Sequence, residues 1–252
     1  MRQLWLDLGN TRLKYWLTEQ HTGQQTATLE HGAELHLQSP ADLLLGLTDR
    51  FARFDVAQVF ISSVLDARAN QRIKKILSRL AVSVQFAQVL PECHGLITGY
   101  DDPSRLGIDR WLQVLALAGQ AQRYLIVGCG TALTIDLLDD QQHLGGYILP
   151  SLYLQREALA LGTRRVQVPD GAFDNLNAGR CTEDAVHHGI LLGLVGAIEK
   201  LLLQDPTRQL ILTGGDAALF AGCIDAPNPV AIRDNLLLDG LMRYFKPVPL
   251  LD

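Results

Sequence analysis

Leu6-Asp7-Leu8-Gly9-Asn10-Thr11-Arg12-Leu13-Lys14 is the stretch on which the fold turns. Residues 3–8 read as a strand, Gly9, Asn10 and Thr11 have turn chemistry, and Leu13, Tyr15 and Leu17 then alternate with Lys14, Trp16 and Thr18. The pattern predicts a β-hairpin with a polar, glycine-bearing tip. A second stretch copies it: Tyr124-Leu125-Ile126-Val127 is an apolar strand, Gly128-Cys129-Gly130-Thr131 a tip, and residues 133–137 resume a strand. Aligning Gly130 with Gly9 gives an offset of 121 residues (130 − 9), close to half of the 252-residue chain, as a duplicated lobe produces.

Outward from the hairpins, the two halves continue alike. The first predicts a strand over 59–64, a helix over 67–80 with Ile73, Ile76, Leu77 and Leu80 on its apolar face, and a strand over 82–86. The second predicts a strand over 147–149, helices over 152–161 and 182–203, a strand over 209–213 and a closing helix over 236–245. Strands and helices mixed in this order make the class α/β. Residues 164–179, rich in Gly, Pro, Asn and Asp, read as a loop. Pro91, Gly95, Gly99 and Pro103 make 87–103 a mostly irregular connection into a helix over 106–121. That helix is the expected hinge between an N-terminal lobe of residues 1–115 and a C-terminal lobe of residues 116–252.

Composition narrows the classes of function. With 48% hydrophobic residues the chain has ample material for a core. Its 22 Lys+Arg against 27 Asp+Glu give a net charge of -5 without a basic run, which argues against nucleic acid as a partner. Cys93, Cys129, Cys181 and Cys223 lie tens of residues apart, at neither zinc-ligand nor disulfide-framework spacing, so a reducing cytoplasm is the expected home. The first residues lack the pattern of a signal peptide. The apolar segment 189–203 is broken by glycines and by Glu199 and Lys200, so it reads as a buried helix and no membrane partner is expected.

Both hairpin tips carry the chemistry of a phosphate site, since glycine lets backbone N–H groups curve toward an anion. In the first tip Asp7 can orient a hydrated magnesium ion, Asn10 and Thr11 supply hydrogen bonds, and Lys14 adds positive charge. A lone Gly-Asn tip is as readily an ordinary turn; the repeat, with the further Thr213-Gly214-Gly215-Asp216 turn, tips the reading toward nucleotide. No Gly-x-x-x-x-Gly-Lys-Ser/Thr sequence is present, and Leu133 stands where a dinucleotide fingerprint starting at Gly128 needs its third glycine. From Gly99 to Arg110, an aromatic ring, carboxylates and two arginines meet at a loop-to-helix junction suited to a substrate. Asp109 could accept a proton from an attacking hydroxyl, and Arg110 could pair with a carboxylate or phosphate. In isolation, a helix-dipole role for Asp109 and a surface position for Arg110 would be the commoner account. His187 and His188 lack further ligands at metal spacing, Cys129 lacks a His or Asp partner, and Thr182 before Glu183 and Asp184 marks a helix start.

Five segments in order, residues 6–14, Gly99-Tyr100 with Leu106-Gly-Ile-Asp-Arg110, residues 130–136, Leu144-Gly-Gly-Tyr-Ile-Leu-Pro150 and Leu212-Thr-Gly-Gly-Asp216, closely resemble the type III pantothenate kinases over nearly the whole chain. The resemblance implies a duplicated actin-like fold (acetate and sugar kinase, heat-shock ATPase and actin) of two ribonuclease H-like lobes. It implies ATP-dependent phosphorylation of pantothenate, the first step of coenzyme A synthesis, by a homodimer. Carried over, Asp7, Leu8, Gly9, Asn10, Thr11, Arg12, Leu13, Lys14 and Thr131 contact ATP, and Asp7 holds Mg2+. Tyr100, Gly107, Ile108, Asp109, Arg110 and Thr182 contact pantothenate, with Asp109 the general base. Two positions depart from the family pattern: Cys181 replaces the usual Asn before Thr182, and Gly128 replaces an Asp implied to help bind potassium or ammonium, so weak or absent potassium dependence is expected. A kinase of the same superfamily with another hydroxyl substrate, and a catalytically weak regulatory or accessory protein, are the alternatives.

Overall fold

The computed structural model describes residues 1–20, 26–35, 39–80, 83–162 and 171–247, so part of the loop expected over 164–179 lies outside the described residues. Two compact units make up the chain. Met1–His94, Asp102–Ala116 and Leu237–Asp252 form the first, and Gly95–Asp101 and Leu117–Leu236 the second.

In the first unit, β1 (Arg2–Leu8), β2 (Arg12–Glu19) and β3 (Ala27–Leu35) form an antiparallel meander. β4 (Gln58–Ser63) joins β1 in parallel and β5 (Ser83–Phe86) joins β4, giving the order β3-β2-β1-β4-β5. α1 (Pro40–Ala52) leads into β4 and α2 (Ala67–Leu77) into β5. The period-2 pattern decides the packing: Leu4, Leu6 and Leu8 of β1 and Leu13, Tyr15 and Leu17 of β2 meet Leu44 and Phe51 of α1 and Ile73 and Leu77 of α2. Each such side chain contributes about 1.5–3 kcal/mol on full burial. Both helices start on side-chain caps, Ser39 Oγ accepting from Asp42 N–H at 3.4 Å and Asp66 Oδ1 from Ala69 N–H at 2.7 Å. On the opposite face of the sheet Trp5 stacks on Phe60 at 4.5 Å, and Phe60 reaches Phe245 at 4.4 Å.

The connection after β5 is mostly irregular, as expected, apart from two-residue strands β6 (Glu92–Cys93) and β7 (Leu96–Ile97) around a turn where His94 and Gly95 have φ 48° and 85°. A 3-10 turn, Pro103–Arg105, precedes α3 (Ile108–Leu117). α3 is shorter than the helix predicted over 106–121. Leu106 is extended, and the backbone turns to positive φ at Gly119 (76°) and Ala121 (53°), which a right-handed helix does not tolerate.

The second unit repeats the first. β8 (Arg123–Cys129), β9 (Ala132–Asp139) and β10 (Gln142–Pro150) form the meander. α4 (Leu152–Gly162) and α5 (Thr182–Gln204) lead to β11 (Gln209–Thr213), parallel to β8, and α6 (Ala217–Cys223) to β12 (Ala231–Ile232), parallel to β11. The order β10-β9-β8-β11-β12 matches β3-β2-β1-β4-β5, with β7 added beside β10. Hence β1 and β8 lie 121 residues apart at both ends, whereas the strands leaving the tips start pairing at Leu8↔Leu13 and Cys129↔Leu133; the second tip is one residue shorter. By length and composition α5 could cross a membrane, yet its Ile190, Leu191, Leu194, Val195, Ile198 and Leu202 belong to the core of this unit. It is the core helix that its sequence predicts.

α7 (Leu236–Tyr244) closes the chain. A sequence division at residue 115 puts it with the second half, but from Leu237 onward it belongs to the first unit. Packing gives the reason: a Cβ on Gly240 would lie 1.9 Å from the Leu112 carbonyl oxygen of α3, and Tyr244 meets Trp111 edge-on at 5.8 Å. Only glycine permits that approach.

Candidate active site

The first hairpin tip closes with Gly9 N–H donating to the Arg12 carbonyl at 3.0 Å. Of the residues predicted at ATP, Leu8 and Leu13 are fully buried in the core, so only their backbones can serve a ligand. Asn10, Thr11 and Arg12 are exposed around the turn. Asp7, one residue before the end of β1, is 7% exposed and lies directly across the hairpin from Lys14. Parallel pairing of β1 with β4 brings Ser62 beside it, and the buried hydroxyl donates to Asp7 Oδ1 at 3.1 Å. Burial pushes the Asp7 carboxyl up from its ordinary 3.8 to about 6; Lys14 pulls it down, Asp109 adds to the rise, and the Ser62 hydrogen bond opposes it.

That coupling places Asp109 in the electrostatic neighbourhood of Asp7, within the same unit. Asp109 occupies the first turn of α3, where the exposed backbone N–H groups favour a carboxylate. A Cβ on Gly107 would lie 2.7 Å from Asp109 Oδ1, so the carboxylate covers the space that a side chain at 107 would fill. Ile108 and Arg110 are 7% and 4% exposed, and Trp111 N–H donates to the Gly107 carbonyl at 3.0 Å. Arg110 is therefore not the surface residue that an isolated reading favours. A buried guanidinium is a committed structural or ligand-binding group.

The second unit carries the other predicted residues. Thr131 is exposed in the second tip, which closes with Gly130 N–H donating to the Ala132 carbonyl at 3.2 Å. The Thr213–Asp216 turn lies against this tip: Gly214, at φ 101°, would set a Cβ 2.4 Å from the Cys129 carbonyl oxygen. Cys129 itself is 2% exposed, and burial, with Asp216 nearby, pushes its thiol up to about 12, so it is no nucleophile. Thr182 opens α5, and Cys181 takes the N-cap, its Sγ accepting from Asp184 N–H at 3.4 Å. Tyr100 stacks parallel to His143, with centroids 6.1 Å apart and planes at 10°.

Ser62, His143 and Asp136 are the polar residues near these groups that sequence reading did not assign. Ser62 was within reach of inference, as a hydroxyl at the end of an otherwise apolar strand. The His143–Asp136 pair was not, because it depends on how β10 pairs with β9. Asp7 and the Ser62 hydroxyl offer oxygen donors, which a hard divalent cation takes, and among the described residues no three His, Cys, Asp or Glu side chains cluster to hold a metal by themselves.

The chain resembles known proteins over its full length. The family model for type III pantothenate kinase matches residues 3–204. A type III pantothenate kinase of Acinetobacter baumannii (strain ACICU) is 58% identical over 249 residues, 99% of each chain. The one from Psychrobacter cryohalolentis is 50% identical over 242 residues, 96% of this chain and 97% of its own. Among solved structures, a candidate Baf family transcriptional activator from Campylobacter jejuni superposes with a TM-score of 0.58 at 20% identity over 96% of both chains. A candidate 2-dehydro-3-deoxygalactonokinase from Sinorhizobium meliloti does so with 0.58 at 14% identity, covering 95% of this chain and 97% of that one. With its two matching sheets the chain has the duplicated actin-like fold, and by sequence it belongs to the type III pantothenate kinase family.

Proposed function

We propose that the chain transfers the terminal phosphoryl group of ATP to the primary hydroxyl of pantothenate, giving 4'-phosphopantothenate for coenzyme A synthesis. Family membership supports the substrate. The structural observation that carries the chemistry is the placement of Asp109, held at a helix start over Gly107 and electrically coupled to the buried Asp7. Asp109 accepts the hydroxyl proton as oxygen attacks phosphorus, a contribution of about 10²–10⁴-fold. The remainder is positioning and charge stabilisation. In the first unit the Asp7–Lys14 hairpin offers backbone N–H groups and the Lys14 ammonium to phosphate oxygens. From the family resemblance we assign Thr131 to ATP, and Tyr100, Thr182 and Arg110, whose guanidinium suits a carboxylate, to the acceptor.

Mg2+ fits the donors at Asp7, one carboxylate plus substrate phosphates and water, and when bound it neutralises charge on the phosphate oxygens. We also place the enzyme in the cytoplasm, a reading that four free cysteines support. A homodimer is supported by the outer face of α5, where Gly189, Leu192 and Gly193 are exposed and open space lies over both glycines.

A coupled ADP-release assay with pantothenate and a panel of other hydroxyl acceptors tests the reading. Turnover with pantothenate, lowered at least about tenfold by Asp109→Asn while ATP binding persists, is expected. Turnover with sugars or acetate alone would overturn the substrate, and an unchanged rate in Asp109→Asn would remove the base.

A further inference from the structure

Behind Tyr100 lies a buried polar pair that the mechanism above does not use. His143 is fully buried in β10 and Asp136 of β9 is 2% exposed, with His143 Nε2 3.0 Å from Asp136 Oδ1. On the other side of the ring, Gly99 N–H points at His143 Nδ1 at 3.5 Å. Nδ1 is thus the acceptor, and the ring proton sits on Nε2, donated to the carboxylate. The imidazole is held at both nitrogens, one by a neighbouring strand and one by the backbone next to Tyr100.

The backbone around it is shaped to the same end. Register between β10 and β9 shifts between His143 and Gly146, and Gly145 in that bulge has φ 93°. A Cβ on Gly99 would lie 2.0 Å from the His143 carbonyl oxygen and 3.1 Å from Gly145 N. The bulge and the missing side chain let the Gly99–Tyr100 segment lie directly on β10. Tyr100 then stacks on the imidazole, planes 10° apart. The Leu144-Gly145-Gly146 stretch, without an assigned role in the sequence, forms this seat. An apolar side chain would fill the space under Tyr100 as well; the His–Asp pair adds directional hydrogen bonds at both ring nitrogens, which hold the plane of the ring.

We propose that Asp136 and His143 are positioning residues for the acceptor: they fix the plane of Tyr100 and so set the affinity for pantothenate, without touching the transferred phosphate. This rests on the assignment of Tyr100 to the acceptor site. The pair makes its own prediction, because His143 acts through Tyr100 and the two should not add.

The test is a double-mutant cycle on Tyr100→Ala and His143→Ala, reading KM for pantothenate, KM for ATP, kcat and melting temperature. His143→Ala should raise KM for pantothenate about three- to tenfold, the usual strength of an aromatic pair, with KM for ATP changed less than about twofold. The double variant should be no worse than Tyr100→Ala. Tyr100→Phe, which keeps the stack, should stay closer to wild type than Tyr100→Ala. Should His143→Ala fail to fold, His143→Gln carries the cycle, since it retains an N–H for the buried carboxylate and removes the ring. Additive effects, or a KM for ATP that rises in step, would overturn the inference and leave a structural pair. If the wild type phosphorylates a different hydroxyl acceptor and not pantothenate, the substrate reading fails on its own. The same cycle run with that acceptor then decides the coupling separately.

Discussion

Gly107 and Asp109 show how one missing side chain sets a catalytic group. The added Cβ of Gly107→Ala would meet Asp109 Oδ1 at 2.7 Å, the far end of a side chain that can swing away. The fold should tolerate the change while the carboxylate loses its place. Gly107→Ala is therefore expected to keep a melting temperature within about 2 °C of wild type and lose at least about tenfold in kcat. A variant with normal kcat would show that Asp109 needs no such seat. Asp7 makes a second prediction, read from pH. Its folded carboxyl sits near 6 against 3.8 ordinarily, so the folded state holds the proton more tightly than the unfolded one. The stability from this group is complete below pH 3.8 and lost as pH rises through about 6. In metal-free buffer Asp7→Asn should thus melt higher than wild type at pH 8, with the gap closing toward pH 4, though it should be inactive. An Asn variant less stable at pH 8 would contradict the buried, charged Asp7. Asp7, Lys14 and Asp109 were legible in sequence because each lies in or beside a glycine-bearing turn. Ser62 was legible only as a hydroxyl at a strand end, since strand pairing is what brings it across 55 residues to Asp7, and His143 and Asp136 were not legible, since bulged pairing sets one against the other.

Elements were readable where they had strong edges. β11 matches its predicted bounds, and α5 departs by one residue at its end, because Thr182 with its acidic followers and the turn after Asp205 mark them. β3 and α1 went unread. β3 is an edge strand with no fully buried residue, and its Gly32 is demanded by the Tyr15 side chain, whose hydroxyl lies 2.6 Å from an added Cβ. α1 carries its Ser39-Pro40 start in plain view, but its apolar face is short. On α5, the exposed Gly193 makes an element-scale prediction. Light scattering at micromolar concentration should give twice the 27.7 kDa chain mass, and Gly193→Glu should shift it toward one chain mass. A wild-type monomer would remove the dimer proposal; a variant that remains dimeric would move the interface off this face.

At the scale of the whole molecule, the duplication is the main legible fact: two hairpins 121 residues apart predicted two sheets of one topology, and the sheets have it. What the repeat could not show is where the chain departs from symmetry, as when Leu237–Asp252 returns to the first unit. The two tips also differ in charge. At the matching strand ends Asp7 of the first unit corresponds to Gly128 of the second (7 + 121), so one tip has a carboxylate and the other does not. A monovalent cation at the second tip would lack that anionic ligand, and weak or absent potassium dependence is expected. Initial rates against potassium chloride, in buffer free of sodium and ammonium with choline chloride holding ionic strength, check it. Steep, saturable activation would contradict it.

Phosphoryl transfer to pantothenate is tested by 31P NMR of wild-type enzyme with ATP, Mg2+ and an equal mixture of pantothenate and hexoses. A single new phosphomonoester resonance, assigned by its coupling to the primary carbinol protons of pantothenate and growing as the γ-phosphate signal falls, is the predicted result. Phosphate appearing on a hexose, or as inorganic phosphate alone, would contradict it.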